Sequence, residues 1–213
     1  MPEHATDTRQ RLLDAAIEEF AAAGFDGATV RDICARAGAS VNGVNYHFGD
    51  KQQLYVEAVR VAHQAIRSAM GPEDVDRIAE QFSGDPEQRL RAFVERMVSM
   101  AMVAGRRSEA YHQLMFREIA KPTIATEHVV REFVEPQFER LSKILAALLP
   151  DDADPVDIRL YALSVVGQCL HYKFAAPILP LLLSKGEQRQ LTVERVADHI
   201  CRVILASLPA RSA

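Results

Sequence analysis

The chain has 213 residues, 48% of them hydrophobic and 25% charged, with a formal net charge of −4. That balance excludes the low-hydrophobicity disordered class and fits a globular protein of one or two domains. No apolar run approaches the ~20 residues of a membrane span, and the polar start MPEHATDTRQ has no apolar signal core. An uncleaved cytoplasmic protein with no membrane partner is therefore expected.

In chain order, nearly every segment reads as helix. Residues 8–23 place Leu12, Leu13, Ala16, Ile17 and Phe20 on one face, the spacing of an amphipathic helix, and Gly24 stops it. Thr29 opens a second helix with Asp32 at the capping-box position; Val30, Ile33 and Cys34 point inward, and Gly38 ends it. Ser40 is an N-cap residue for a third helix through Phe48. Asp50 caps a fourth, with Leu54, Ala58, Ala62 and Ile66 as its buried stripe. After Gly71-Pro72 a short helix is predicted over 74–82. Another opens at Asp85-Pro86 and reaches about 103, with Leu90, Phe93, Val94, Met97 and Met100 or Ala101 inward. Helices follow over 108–119 and 123–148, where Pro136 should kink or divide the helix. Pro155 starts the next, through Phe174. An apolar stretch broken by two prolines fills 175–183, and a last helix spans 192–207. No strand alternation persists beyond a few residues, so the class is all-α. The three cysteines Cys34, Cys169 and Cys201 are odd in number, widely spaced and set among apolar helical residues. They read as small buried thiols rather than a disulfide or metal set.

The third helix is unusual. "SVNGVNYHFGDK" (40–51) packs two Asn, two Gly and a Tyr-His pair into a stretch that has no acid before Asp50, although Asn and Gly are poor helix formers. Two short helices joined by a Gly-containing turn have the layout of a helix-turn-helix, whose second helix enters the DNA major groove. Val41, Val44 and Phe48 can anchor that helix at i, i+3 and i+7. Asn42, Gly43 and Tyr46 then face away, flanked by Asn45 and His47. Asn can bond adenine bidentately, and Gly permits close backbone approach. Thr29, Ser40, Tyr46, His47 and Lys51 are candidate phosphate contacts, and Val41 and Arg31 join the candidate DNA-facing set. Charge is the difficulty. In residues 1–60, Arg9, Arg11, Arg31, Arg36, Lys51 and Arg60 stand against Glu3, Asp7, Asp14, Glu18, Glu19, Asp26, Asp32, Asp50 and Glu57. DNA binding must then rest on local placement of charge rather than bulk attraction.

The run "TRQRLLDAAIEEFAAAGFDGATVRDICARAGASVNGVNYHFGDKQQLY", residues 8–55, closely resembles the N-terminal domain of TetR-family transcriptional regulators. The matching marks are Ala-Ala-x-x-x-Phe in the first helix, Gly24-Phe25, Thr29-Val30-Arg31-Asp32-Ile33, Ala37-Gly38-Ala39-Ser40 and Tyr46-His47-Phe48 before Lys51. Asn45 stands where the family pattern often has an aromatic residue, a departure that bears on the operator sequence. The "NYHFGDK" form, with "GQCLHY" at 167–172, also resembles one branch of the family, linked to antibiotic-sensitivity regulators. The resemblance implies a three-helix DNA-binding domain (1–52) and a larger helical domain (53–213) for effector binding and dimerisation. It further implies a ligand-responsive repressor that binds a palindromic double-stranded operator as a homodimer, with ligand moving the fourth helix and respacing two reading heads.

For the dimer, Ala162, Val165, Val166, Gly167 and Leu170 form one patch, and Val196, Ile200, Val203 and Ile204 another; the alternative is burial in their own subunit. For an apolar or aromatic effector, the candidates are Met97, Met100, Met102, Tyr111, His112, Met115, Phe116, Phe133, Gln168, His171 and Tyr172, or these are simply core. Arg117-Glu118 reads as a buried pair or as solvated charge. Glu109-x-x-His112 has the spacing of one half of a di-iron site but lacks the second half, and Asp198-His199 with Cys201 makes no zinc framework. No phosphate loop or nucleophile motif is present in the sequence. No enzyme activity, cofactor or metal is expected. The remaining alternative is a helical interaction module that has lost DNA binding, which the acidic balance of residues 1–60 favours.

Overall fold

The computed structural model describes residues 3–69, 85–102 and 106–209, which form helices joined by turns, with no strand among them. The helices are α1 (Glu3–Gly27), α2 (Val30–Ala37), α3 (Val41–Phe48), α4 (Lys51–Ala69), α5 (Pro86–Met102), α6 (Arg106–Ala120) and α7 (Thr126–Val129). A π-helical turn (Val130–Val134) leads into α8 (Glu135–Ala146), and α9 (Pro155–Ala175), α10 (Leu179–Leu182), α11 (Lys185–Gln190) and α12 (Val193–Ser207) follow. The helix predicted over 74–82 lies outside the described residues.

The chain packs as two compact units. One comprises Met1–Pro72 and Gly105–Val134, the other Glu73–Ala104 and Glu135–Ala213. Packing thus divides the chain differently from the boundary at 52/53 expected from role. In the first unit α1 lies against α2, α4 and α6. Leu12, Leu13, Ala16, Ile17 and Phe20 are all at most 1% exposed, as their spacing requires. Burying each such large side chain stabilises the fold by about 1.5–3 kcal/mol. Leu54, Ala58, Ala62 and Ile66 of α4 face the same core.

In the second unit α5 packs on α9 and α12, and α8 packs on α5 and α9. Their shared core holds Leu90, Phe93, Val94, Val98, Leu141, Ile144, Leu145 and Val165. Of the two inward candidates at the end of α5, Ala101 is buried and Met100 half-buried.

The helix predicted over 123–148 is divided, as Pro136 requires. Proline has no N–H to donate to the carbonyl of Glu132, and its ring clashes with that carbonyl. The chain widens into the π turn just before it. Gly24 breaks α1 with φ 75° and ψ 177°, a conformation open essentially to glycine alone. The Pro-broken stretch 175–183 forms only the short α10, with Leu181 84% and Leu182 70% exposed. The cysteines are buried and free. Burial pushes the Cys169 thiol to about 12 and Cys201 to about 11, so both stay protonated and inert.

Candidate nucleic-acid interface

The geometry of residues 29–51 starts from its caps. The Thr29 hydroxyl accepts from the Asp32 N–H at 3.1 Å and donates to the Asp32 carboxylate at 2.5 Å. Thr29 therefore serves α2 itself, and its hydroxyl proton is already committed. At the other end Gly38 adopts φ 60°, ψ 40°. The Ala39 N–H then reaches Cys34 O at 3.0 Å and the Gly38 N–H reaches Ala35 O at 3.4 Å, the paired bonds of a Schellman ending. Arg11 adds a bond to Ala37 O at 3.2 Å. The chain reverses within three residues and launches α3. Ser40 has the backbone of an N-cap but makes no side-chain cap bond, which leaves its exposed hydroxyl available.

On α3, Val44 is fully buried and Phe48 half-buried. Val41 is 45% exposed, so it lies outside the anchor to which its spacing assigned it and joins Asn42, Asn45 and Tyr46 on the open surface. Tyr46 is 83% exposed, its ring edge-on to His47 at 4.9 Å. Gly43 departs from expectation. A Cβ there would meet Leu12 Cδ1 at 3.5 Å, an ordinary van der Waals contact, so its missing side chain faces α1 rather than the open surface. The 3.6-residue period places position 43 at the edge of the buried face, next to Val44. Arg31 is exposed on α2. Lys51, at the start of α4, sits 4.7 Å above the Phe25 ring.

Ion pairs and helix caps engage many of the acids of residues 1–60, and one of the cations, Lys121, comes from outside the segment. Arg36 holds Glu18 and Glu19 at 3.0 and 3.1 Å, Arg11 holds Asp7 at 3.2 Å, and Lys121 holds Asp26 at 2.5 Å. Lys121, by hydrogen bond and charge, keeps the Asp26 carboxyl below its ordinary value, with Lys51 assisting. Asp50 caps α4 by accepting from the Gln53 N–H at 2.8 Å. Glu57 takes Arg9 at 2.7 Å and Arg60 at 2.8 Å, while the Arg9 guanidinium lies 5.1 Å from the Phe48 ring centroid. Arg9 thus ties α1, α3 and α4 together. Local periodicity carries no sign of this, because Arg9 and Glu57 are 48 residues apart.

The remaining candidates divide between the units. Tyr111, His112, Met115, Phe116 and Phe133 belong to the first, Met97, Met100, Gln168, His171 and Tyr172 to the second. Met115 is buried, His171 exposed, and Met97 and Tyr172 pack against the core of the second unit. Phe133 meets the buried His63 ring at 4.7 Å. Two clefts, of about 370 and 400 Å³, are lined by other residues.

Five dimer candidates are corrected. Ala162, Val165, Val196, Ile200 and Ile204 are at most 2% exposed within the subunit and belong to its own core. The expected patches mixed two faces of each helix. Ala162, Val165 and Cys169 turn inward at i, i+3 and i+7, while Leu160, Leu163, Gly167 and Phe174 turn outward. Val166 and Leu170 are half-buried, and Val203 is 43% exposed. Arg117-Glu118 fits neither expectation: Arg117 is exposed and Glu118 fully buried. Asp198 pairs with Arg91, and no metal-holding cluster occurs among the described residues. No helix among them is long and apolar enough to cross a membrane.

A short helix-turn-helix head on an all-helical chain defines a DNA-binding transcription regulator rather than an enzyme. Residues 12–58 match the bacterial regulatory proteins of the tetR family, and residues 86–208 match the C-terminal domain of the HTH-type transcriptional dual regulator CecR. The chain belongs to the TetR family of transcriptional regulators, with a C-terminal part of the CecR type. The dual regulator CecR of Shigella flexneri is 26% identical over 96% of this chain and 94% of its own length. Among solved structures, AibR in complex with isovaleryl coenzyme A and operator DNA is similar at a TM-score of 0.64 and 19% identity, covering 92% of this chain and 97% of its own. FadR from Bacillus subtilis in complex with stearoyl-CoA is similar at 0.57 and 14%, covering 94% and 99%.

Proposed function

We propose that the protein is a ligand-responsive repressor that binds a palindromic operator as a homodimer in the cytoplasm. Residues 1–52 would read the DNA and residues 53–213 carry effector binding and dimerisation. The observation that carries the reading is the surface of α3: acid-free, exposed at Val41, Asn42, Asn45 and Tyr46, and held by a tight Schellman turn. Asn42 and Asn45 contact base edges, while Ser40, Tyr46, His47, Lys51 and Arg31 contact phosphate. Thr29 contributes through the N-terminal end of α2.

Two heads of a dimer enter successive major grooves when they stand about 34–36 Å apart. The outward stripe of α9 (Leu160, Leu163, Gly167 and Phe174), with Val203, supplies the apolar face for pairing, joined at its edge by Val166 and Leu170. The effector is an apolar or aromatic small molecule. The acyl groups of the coenzyme A thioesters held by AibR and FadR support a site that takes an apolar group, and the Met- and aromatic-rich candidates of α5, α6 and α9 are its contacts. The Shigella flexneri relative is named a dual regulator, so promoter assays should score activation as well as repression.

The test is selection of the purified protein on a random DNA pool at two salt concentrations, with sequencing. The expected result is a palindrome with half-sites about one helical turn apart, weakened by salt. No enrichment at low salt overturns DNA reading, and enrichment of a single unpaired half-site overturns the dimer.

A further inference from the structure

Glu118 is 0% exposed and lies in the last turn of α6. That is an unfavourable place for an acid twice over. A helix C-terminus carries partial negative charge, and burying a carboxylate is costly unless donors surround it. Donors do surround it. Glu118 accepts from the Thr123 N–H at 3.0 Å, from Thr123 Oγ1 at 2.9 and 3.0 Å, and from Thr126 Oγ1 at 2.5 Å. These come from the turn that directly follows its own helix.

The remaining donor is remote. The Tyr55 hydroxyl, one turn into α4 and 63 residues away, donates to Glu118 Oε2 at 2.6 Å. Burial, and then Glu118 itself, push the Tyr55 phenol well above its ordinary value, so it remains a donor at any physiological pH. The Tyr55 ring is 2% exposed and lies edge-on to Phe20 at 4.8 Å and Phe25 at 5.0 Å. Tyr55 also lines the 400 Å³ cleft, with Gly24, Gln52, Arg117 and Thr123. Aromatic packing therefore holds the buried ring on the α1 side, at the wall of the cleft. The hydroxyl bond to Glu118 adds a directional restraint at the far end of the ring.

We infer that Tyr55 and Glu118 are positioning residues for DNA reading, their buried hydrogen bond fixing where α4 begins and hence where α3 and Lys51 meet the duplex. The inference rests on the proposed dimeric reading. It assigns the placing of α4 against α6 to this bond, while Arg117 to Ala22 O at 2.7 Å and Lys121 to Asp26 at 2.5 Å tie the same region to α1. Only Gly49 and Asp50 separate α3 from α4, so a shift of Tyr55 is passed on to Phe48 and Tyr46 with little slack.

The test uses the full-length protein and the isosteric change Tyr55→Phe, which removes one oxygen. Affinity for the selected operator is expected to fall by about tenfold. Preference for the native half-site separation over operators with one base pair added or removed should shrink. The slope of log K against log salt should stay the same, because the phosphate contacts keep their number. Glu118→Gln is expected to act likewise, with the double variant no weaker than the weaker single one. A contact that only stabilises the fold would lower the melting temperature and leave the spacing preference as in the wild type; that result overturns the inference. If the wild type itself enriches no sequence, the DNA-reading proposal fails separately. Amide exchange then decides: faster exchange over residues 41–60 in Tyr55→Phe, with α1 unchanged, supports the linkage, and unchanged exchange there overturns it.

Discussion

Replacing Glu57 by Gln removes the charge on which Arg9 and Arg60 converge. Oε1 takes Arg9 Nη2 at 2.7 Å and Arg60 Nη2 at 2.8 Å, while Oε2 takes Arg60 Nε at 2.8 Å. The Arg60 bonds first, opposed by burial and reinforced by Arg9, hold the carboxyl at about 2 against an ordinary 4.5. Such a depression corresponds to about 3 kcal/mol at most. Because the side chains of Arg9 and Arg60 are 42% and 38% exposed, solvent screening reduces the contribution to about 1–1.5 kcal/mol. The folded pKa lies below the unfolded one, so the contribution is complete above pH 4.5 and is lost as pH falls towards 2. Urea denaturation of wild type and Glu57→Gln at pH 7 and pH 3 measures it. A gap of about 1–1.5 kcal/mol at pH 7 should shrink by half or more at pH 3. An equal gap at both pH values, or none at pH 7, refutes the reasoning. Because Arg9 also covers Phe48, the same variant should bind operator more weakly at pH 7.

Tyr46→Ala and Lys51→Ala should weaken binding to selected and random duplexes alike, whereas Asn42→Ala should change which sequence a second selection enriches. An unchanged preference would remove Asn42 from base readout. Leu163→Asp alters a side chain that is 57% exposed in the subunit; it should leave the monomer's stability within about 0.5 kcal/mol yet abolish dimers in sedimentation. A dimer that survives this substitution would place the interface elsewhere. Gly38→Ala forces a Cβ into φ 60° and should cost about 1 kcal/mol in thermal unfolding, with an unchanged melting temperature counting against the Schellman account.

Much of the head is legible in the sequence because its signals are local. Thr29, Gly38 and Asp50 cap as their types and spacing dictate, and the α1 stripe from Leu12 to Phe20 is buried throughout. Pro136 likewise announces its break. Side-chain direction at the edge of a face is less legible. Val41 and Gly43 fall within one residue of the boundary between inward and outward: Val41 leaves the anchor and stays on the open, proposed DNA-facing side, while the missing side chain of Gly43 faces α1. The α9 patch divides for the same reason, with Ala162 and Val165 inward and Gly167 outward, since a helix rich in small and apolar residues on all sides has no contrast from which to read two faces. Least legible are the polar partnerships. Arg9 with Glu57 and Tyr55 with Glu118 depend on helices that meet only after folding, and no motif links residues so far apart.

The π turn at Val130–Val134 has a consequence for chain length. A wide turn closes its hydrogen bonds over one residue more than an α turn, so this segment stores a spare residue. Deleting one position within 130–134 lets the turn relax to ordinary winding, with the helix on each side keeping its own buried side chains. The same deletion inside α8 would rotate every later residue of that helix by about 100° and carry Leu141, Ile144 and Leu145 off their core. Single-residue length variation among related chains should therefore collect immediately before Pro136, where the backbone already holds the slack to absorb it.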